Sequence, residues 1–332
     1  MTSRVIAALA CGAVLLGGCS APAQQAPSAS SGAVRVTSCG MPLTFAERPQ
    51  RVVTLDQTST ETLLALGLAD RMAGTSNLKT RVAPQFAADY RRVKVLSPGL
   101  LTSEQLRAAN PDFVVASFAD QFTRDRVGTR EELHELGVPT FVSAVDCPTG
   151  DDSPFDRLHQ DYRTLGRIFG VTERAEQLIA EQQKAIGKAR SLRARNRPTV
   201  LWLYSVFNDV PYVAGGIGIP AAMSEILGVR NAFDDVGQQW PEVSWEQIAA
   251  REPDVIVVGD LSERGAPGDS AEEKIAQIRQ HPVMSRLDAV RHNRFVTVSG
   301  IELDPSVRSH NALAEVAQAL ADMPALAGDT SR

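Results

Sequence analysis

Short apolar runs and helical apolar stripes alternate along most of the chain. Residues 51–55 follow Pro49 and predict a strand, and a helix from about 59 to 66 is stopped by Gly67. Further strands are predicted at 92–96, 112–117 and 140–143, with helices at 103–109 and 124–136. Residues 153–195 break this rhythm. Ser153 is a good N-cap with Pro154 at the first helical position. Phe155, Leu158, Tyr162, Leu165 and Phe169 then recur at helical spacing as far as Gly170. A second helix is predicted from near Thr172 to about Arg195, and it would run over about 30 Å. A coiled-coil segment is the alternative, but the apolar stripe is too short for several clean heptads, so a strut between two lobes fits better. From Pro198 the alternation resumes, with strands at 199–205, 254–260 and 294–299 and helices at 220–227, 244–250, 271–280 and 309–320. The expected fold class is α/β: two Rossmann-like βα lobes joined by a long bridging helix, with a ligand cleft between them.

One element occurs twice. Thr102-Ser-Glu104 through Pro111-Asp112 leads into Phe113-Val-Val-Ala, and Ser244-Trp-Glu246 through Pro253-Asp254 leads into Val255-Ile-Val-Val. In each copy a hydroxyl side chain can cap a helix, a glutamate sits in its first turn, and Pro-Asp ends it before a buried strand. Shared capping chemistry produces partial matches by chance. A match in register across helix, turn and strand is better explained by two related lobes.

Net charge of −5 over 332 residues, with no Lys/Arg run, argues against nucleic acid as a partner. The first residues change the picture more. One positive charge at Arg4 precedes a short apolar run to Leu16, then Leu16-Gly-Gly-Cys19. The run is too short to span a bilayer and reads as a secretory signal over 1–18. The ending resembles a bacterial lipobox, so Cys19 is expected to carry lipid; a plain signal peptide with an incidental cysteine is the alternative. A Ser-, Ala-, Pro- and Gln-rich tether is expected over 19–37. An N-terminal lobe over 38–152, bridging helices over 153–196 and a C-terminal lobe over 197–328 follow. Cys11 leaves with the signal, and the remaining pair, Cys39 and Cys147, is expected to form a disulfide, as exported cysteines usually do.

Signal and lipobox, two alike lobes, a bridging helix and the duplicated Ser-x-Glu…Pro-Asp element together resemble the iron-siderophore and cobalamin substrate-binding proteins of ABC importers. Arg48-Pro-Gln-Arg-Val-Val53, Thr60-Glu-Thr-Leu-Leu-Ala-Leu-Gly67 and Ala289-Val-Arg-His-Asn-Arg-Phe-Val296 strengthen the likeness. The resemblance implies a monomer on the extracytoplasmic face of the membrane, whose lobes close little on a ligand held between them. It implies that Glu104 and Glu246 dock onto a separate permease. Two distant carboxylates on one face would fix orientation, whereas a plain helix-dipole role is the bland reading.

Ligands of open α/β sheets bind beyond the carboxyl ends of the strands. That rule selects Gln57 and Thr58, Lys79, Phe118, Tyr204, Trp240 and Arg308, among neighbours at 56–59, 75–79, 260–263 and 301–308. Loop aromatics suit a bulky, partly apolar chelate, and Lys79 and Arg308 are expected to meet the negative charge of a ferric chelate. The five histidines are scattered without ligand spacing, so no cofactor or bare metal is expected; iron would arrive already chelated. A ferric siderophore leads, ahead of cobalamin and haem.

An enzyme is the rival class. Gly216-Ile-Gly218-Ile-Pro-Ala221 matches a dinucleotide fingerprint loosely, but it does not directly follow a strand, and Pro220 intrudes. A glycine-rich turn entering a helix explains it better. No nucleophile elbow or Ser, His and Asp arrangement points to a triad.

Overall fold

The computed structural model describes residues 32–323. The expected signal over 1–18, Cys19 and most of the expected tether lie outside the described residues. The chain opens with a hairpin of β1 (Val34–Ser38) and β2 (Met41–Phe45), paired antiparallel from Val34 opposite Phe45 to Ser38 opposite Met41. The tether expected over 19–37 therefore ends earlier, because Val34 and Val36 pack against the core and hold their segment as strand.

The first sheet holds β3 (Val52–Thr54), β4 (Met72–Ser76), β5 (Val95–Ser97), β6 (Phe113–Ala116) and β7 (Thr140–Val142). Its order is β5-β4-β3-β6-β7, and every pair is parallel. The order reverses between β3 and β6, which is where doubly wound sheets open a crevice. Around it lie α1 (Gln57–Ala65), α2 (Ala87–Tyr90), α3 (Ser103–Ala109) and α4 (Arg130–Glu135). The helix expected over 124–136 is the shorter α4. Thr129 and Glu132 form a reciprocal capping box that starts it late.

Next come α5 (Pro154–Phe169) and α6 (Thr172–Ser191), a close antiparallel pair turned by Gly170 at φ 70°. A Cβ on Gly166 would stand 2.9 Å from that of Ala175, so the glycine lets the two helices approach. At 20 residues α6 is about 30 Å long.

The second sheet has β8 (Thr199–Phe207), β10 (Arg230–Asn231), β11 (Val255–Asp260) and β12 (Phe295–Ser299) in the order β10-β8-β11-β12, all parallel. Its fifth strand, β9 (Val210–Val213), turns back antiparallel on β8. The helices α7 (Ile219–Leu227), α8 (Trp245–Ala250), α9 (Ala271–Gln280), α10 (Asp288–Arg291) and α11 (Ser309–Ala321) surround it.

One apolar core runs from Val52 and Phe113 through Tyr162 and Ile179 to Trp202 and Leu313, joining both lobes through α5 and α6. Gln182 of α6 reinforces the join. Fully buried, its Oε1 accepts from His159 Nε2 at 3.1 Å and its Nε2 donates to the carbonyls of Ser306 (3.3 Å) and Val307 (3.1 Å). Burial lowers the His159 pKa, which leaves the imidazole neutral in this apolar seam. A shared core and buried polar ties favour small relative movement of the lobes.

Candidate functional site

The first lobe's reversal point is knotted by Asp56. As N-cap of α1 its carboxylate accepts from Ser59 N (2.8 Å) and Thr58 Oγ1 (2.9 Å), and from Ser117 N (2.6 Å) at the end of β6. Thr58 also meets the Ser117 hydroxyl. Gln57 Oε1 accepts from Lys79 N (2.9 Å) and Thr80 N (2.8 Å), while its Nε2 donates to Glu61 (3.0 Å) and Thr80 Oγ1 (2.9 Å). Gln57 and Thr58 are each only 1% exposed. Sequence reasoning expects both to touch ligand. In the structure their polar atoms are already engaged, and Gln57 holds the loop that carries Lys79.

Lys79, Phe118, Tyr204 and Trp240 do come together. Lys79 Nζ donates to Tyr204 Oη (2.5 Å) and to Asp304 Oδ2 (3.3 Å), and Tyr204 donates to the same Asp304 oxygen at 2.9 Å. The ammonium stands 5.8 Å from the Phe118 ring centre and 5.0 Å from that of Tyr204. Tyr204 in turn lies 4.5 Å from the Trp240 ring, tilted by 32°. Burial works against the Lys79 charge, but Asp304 and then Tyr204 outweigh it and hold the pKa above the usual lysine range. Arg308 forms a second pair, its Nε 3.0 Å from Glu61, a carboxylate with no exposed side-chain surface.

Lys79 and Arg308, expected to meet an anionic ligand, are both already paired in the structure. Each cation already neutralises a buried carboxylate from the other lobe, and removing one partner of such a pair costs about 3–5 kcal/mol. Asp304 fell within the loop flagged from sequence, but nothing local marks a partner 225 positions away. Glu61 lies in the 60–67 stretch that carries the resemblance, but nothing local marks Arg308 as its partner.

Gly216 of the rejected dinucleotide motif, and Gly215 just before it, have a structural reason. A Cβ on Gly215 would lie 2.1 Å from the Gln238 carbonyl, and one on Gly216 2.4 Å from that of Asp234. Gly215 N bonds to Gln239 O (2.9 Å) and Gly216 N to Val236 O (2.7 Å). This close backbone approach seats the segment that presents Trp240. Across the cleft, Gln239 Nε2 donates to Asp146 at 2.6 Å. The loop holding Asp146 is pinned by the disulfide between Cys39 and Cys147, whose Cα atoms are 5.6 Å apart.

A groove of about 1200 Å³ runs beside the cluster, lined by residues of the 78–82 loop, by Asp260 and Glu263, and by Arg308. Arg81 and Glu263 form a third ion pair across it, Nη2 to Oε1 2.6 Å. A second hollow of about 920 Å³ lies between α5, α6 and α7 and is bordered by Arg190, Arg193 and Arg230, away from the strand ends. Glu104 and Glu246 project, exposed, from the first turns of α3 and α8, and no ion pair engages either among the described residues.

The comparisons with known proteins agree with this geometry. The family described as "Periplasmic binding protein" matches residues 52–300. The vitamin B12-binding protein of Yersinia pestis (strain Pestoides F) is 27% identical over 214 residues, 64% of this chain and 70% of the relative. A Bacillus subtilis protein described as an uncharacterized ABC transporter substrate-binding lipoprotein is 24% identical over 328 residues, 95% of each chain. Among solved structures, a periplasmic binding protein from Veillonella parvula superposes with a TM-score of 0.75 at 27% identity, covering 88% of this chain and 98% of that one.

Proposed function

Because the chain belongs to the periplasmic binding protein family, we propose that it captures a ferric siderophore chelate outside the cytoplasmic membrane and delivers it to the permease of an ABC importer. The observation that carries the reading is the Phe118, Lys79, Tyr204 and Trp240 cluster between the lobes. Aromatic faces from both lobes meet at the strand ends, where a bulky organic chelate can bury its apolar surface. Metal coordination comes from the ligand, and no catalytic step is assigned to the chain.

In this reading Cys19 carries the lipid anchor and the stretch after it tethers the lobes to the membrane. Glu104 and Glu246, at equivalent places on the two lobes, dock onto basic residues of the permease. Cobalamin is the second reading, favoured by the 27% identity to a vitamin B12-binding protein; haem follows it. Calorimetric titration separates them. A ferric siderophore binding with Kd below about 1 μM, with its iron-free form binding far more weakly, supports the first reading. Saturable binding of cobalamin alone replaces it with the second.

A further inference from the structure

The cleft cations are used up across the lobe interface. Lys79 pairs with Asp304 and Arg308 with Glu61, and these two carboxylates are 1% and 0% exposed. Arg81 pairs with Glu263 at the rim. What remains in the groove is Arg91 at its edge, set against Asp260 and Glu315. With the paired groups included, four cations face five carboxylates. The balance of charge in and under the groove is therefore negative. In addition, Asp304 Oδ1 is buried without a hydrogen-bond partner, and so is Trp240 Nε1.

Building on the siderophore reading, we propose that this cleft selects chelates whose metal charge is fully compensated: neutral or cationic complexes, as formed by trihydroxamates, rather than triscatecholates or dicarboxylate macrocycles. Beyond what Arg91 and Arg81 at the rim can offer, neutralising a multiply negative ligand in the cleft means drawing Lys79 or Arg308 away from its partner. That would strand Asp304 or Glu61 as an unpaired charge in a buried setting, a cost that offsets the new contact. A neutral chelate leaves every pair in place and stacks on the Tyr204 and Trp240 rings. A cationic one is also favoured by the excess of carboxylates around the groove. The selectivity arises from the protein's own pairing, because a like-signed or unpaired charge works against the wrong ligand.

The test is a charge series on the full-length protein by isothermal titration calorimetry. Its members are a ferric trihydroxamate, the same complex with a free amine, a ferric triscatecholate, haem and cobalamin. The trihydroxamates are expected to bind at least about 10-fold tighter than the triscatecholate and haem. Asp304→Asn, which frees Lys79, is expected to narrow that ratio by about 10-fold. Glu263→Gln acts at the exposed rim, where folding is not at risk, and is expected to narrow it in the same direction by less. Equal or tighter binding of the triscatecholate or haem by the native protein overturns this inference while leaving the binding function standing. An unchanged ratio in both variants overturns the role of the ion pairs. Binding of none of the five overturns the parent reading, and this one falls with it.

Discussion

The segment leading into β6 and the segment leading into β11 are built alike. Thr102 accepts from Gln105 N at 3.3 Å and Ser244 from Gln247 N at 3.1 Å, each with the reciprocal glutamine contact of a capping box. Both helices end in a left-handed residue, Asn110 at φ 47° and Glu252 at φ 45°. The aspartate after the proline then ties down the neighbouring strand: Asp112 accepts from Gln50 N (2.7 Å) and Arg51 N (2.9 Å), and Asp254 from Thr199 N (2.7 Å). The cleft-facing ends of the two lobes differ. In the first, β3 stops at Thr54 and Asp56 caps α1, so the face is made of engaged hydroxyls and amides with Lys79 and Phe118. In the second, β8 runs nine residues and turns back as β9, and the face carries Tyr204, Trp240 and Asp304. Duplication thus preserves the scaffold and its outer carboxylates, whereas the cleft walls are complementary, one lobe's cations answering the other's acids.

The largest expected effect tests the outer carboxylates. Glu104→Ala with Glu246→Ala is expected to abolish uptake while calorimetric affinity stays within about 2-fold of native; unchanged uptake would remove docking from both. Either single variant is expected to give an intermediate defect, because the two lobes contribute alike.

The disulfide belongs to the first lobe alone and closes a separation of 108 residues. Replacing Cys39 and Cys147 by serine is expected to lower stability by about 4–5 kcal/mol on the chain-entropy account. Urea unfolding, with the slope compared between variants, measures it.

Asp161, at the start of the bridge, is buried, and burial pushes its carboxyl up to about 7 despite donation from Ser143 and Ala144. The folded state therefore holds this proton more tightly than the unfolded chain. The resulting stability is present in full below the ordinary value of 3.8 and is lost as pH rises through about 7. The Tm is expected to fall over that window and Asp161→Asn to flatten the profile; parallel profiles would contradict the assignment.

The smallest effect sharpens the comparison itself. Asp112→Ala removes two backbone tethers and is expected to cost about 1–2 kcal/mol, against about 1 kcal/mol for Asp254→Ala, which removes one. Equal losses in urea unfolding would show that the two copies are not distinguished by that bond.

What could be read from the sequence is what local chemistry decides. The capping serines and threonines, Pro154, Gly170 and the Pro-Asp pairs are short-range signals, and they placed α3, α5, α8 and α9 closely. The strand β4 was missed because Met72-Ala-Gly-Thr-Ser76 has neither alternation nor a branched apolar run. It is a strand because β3 and β5 flank it. At the site, the positions of Lys79, Phe118, Tyr204 and Trp240 followed from the strand-end rule. Their charge state did not, since the pairs with Asp304 and Glu61 join residues hundreds of positions apart.

The central claim is that ligand sits against the Tyr204 and Trp240 pair, and tryptophan fluorescence tests it most directly. Trp202 and Trp245 are buried at 0% and 4% exposure, whereas Trp240 is half-buried beside the cleft. The account predicts saturable quenching by a ferric trihydroxamate in the native protein and loss of most of that quenching in Trp240→Phe. Undiminished quenching in Trp240→Phe would place the ligand elsewhere and contradict the account.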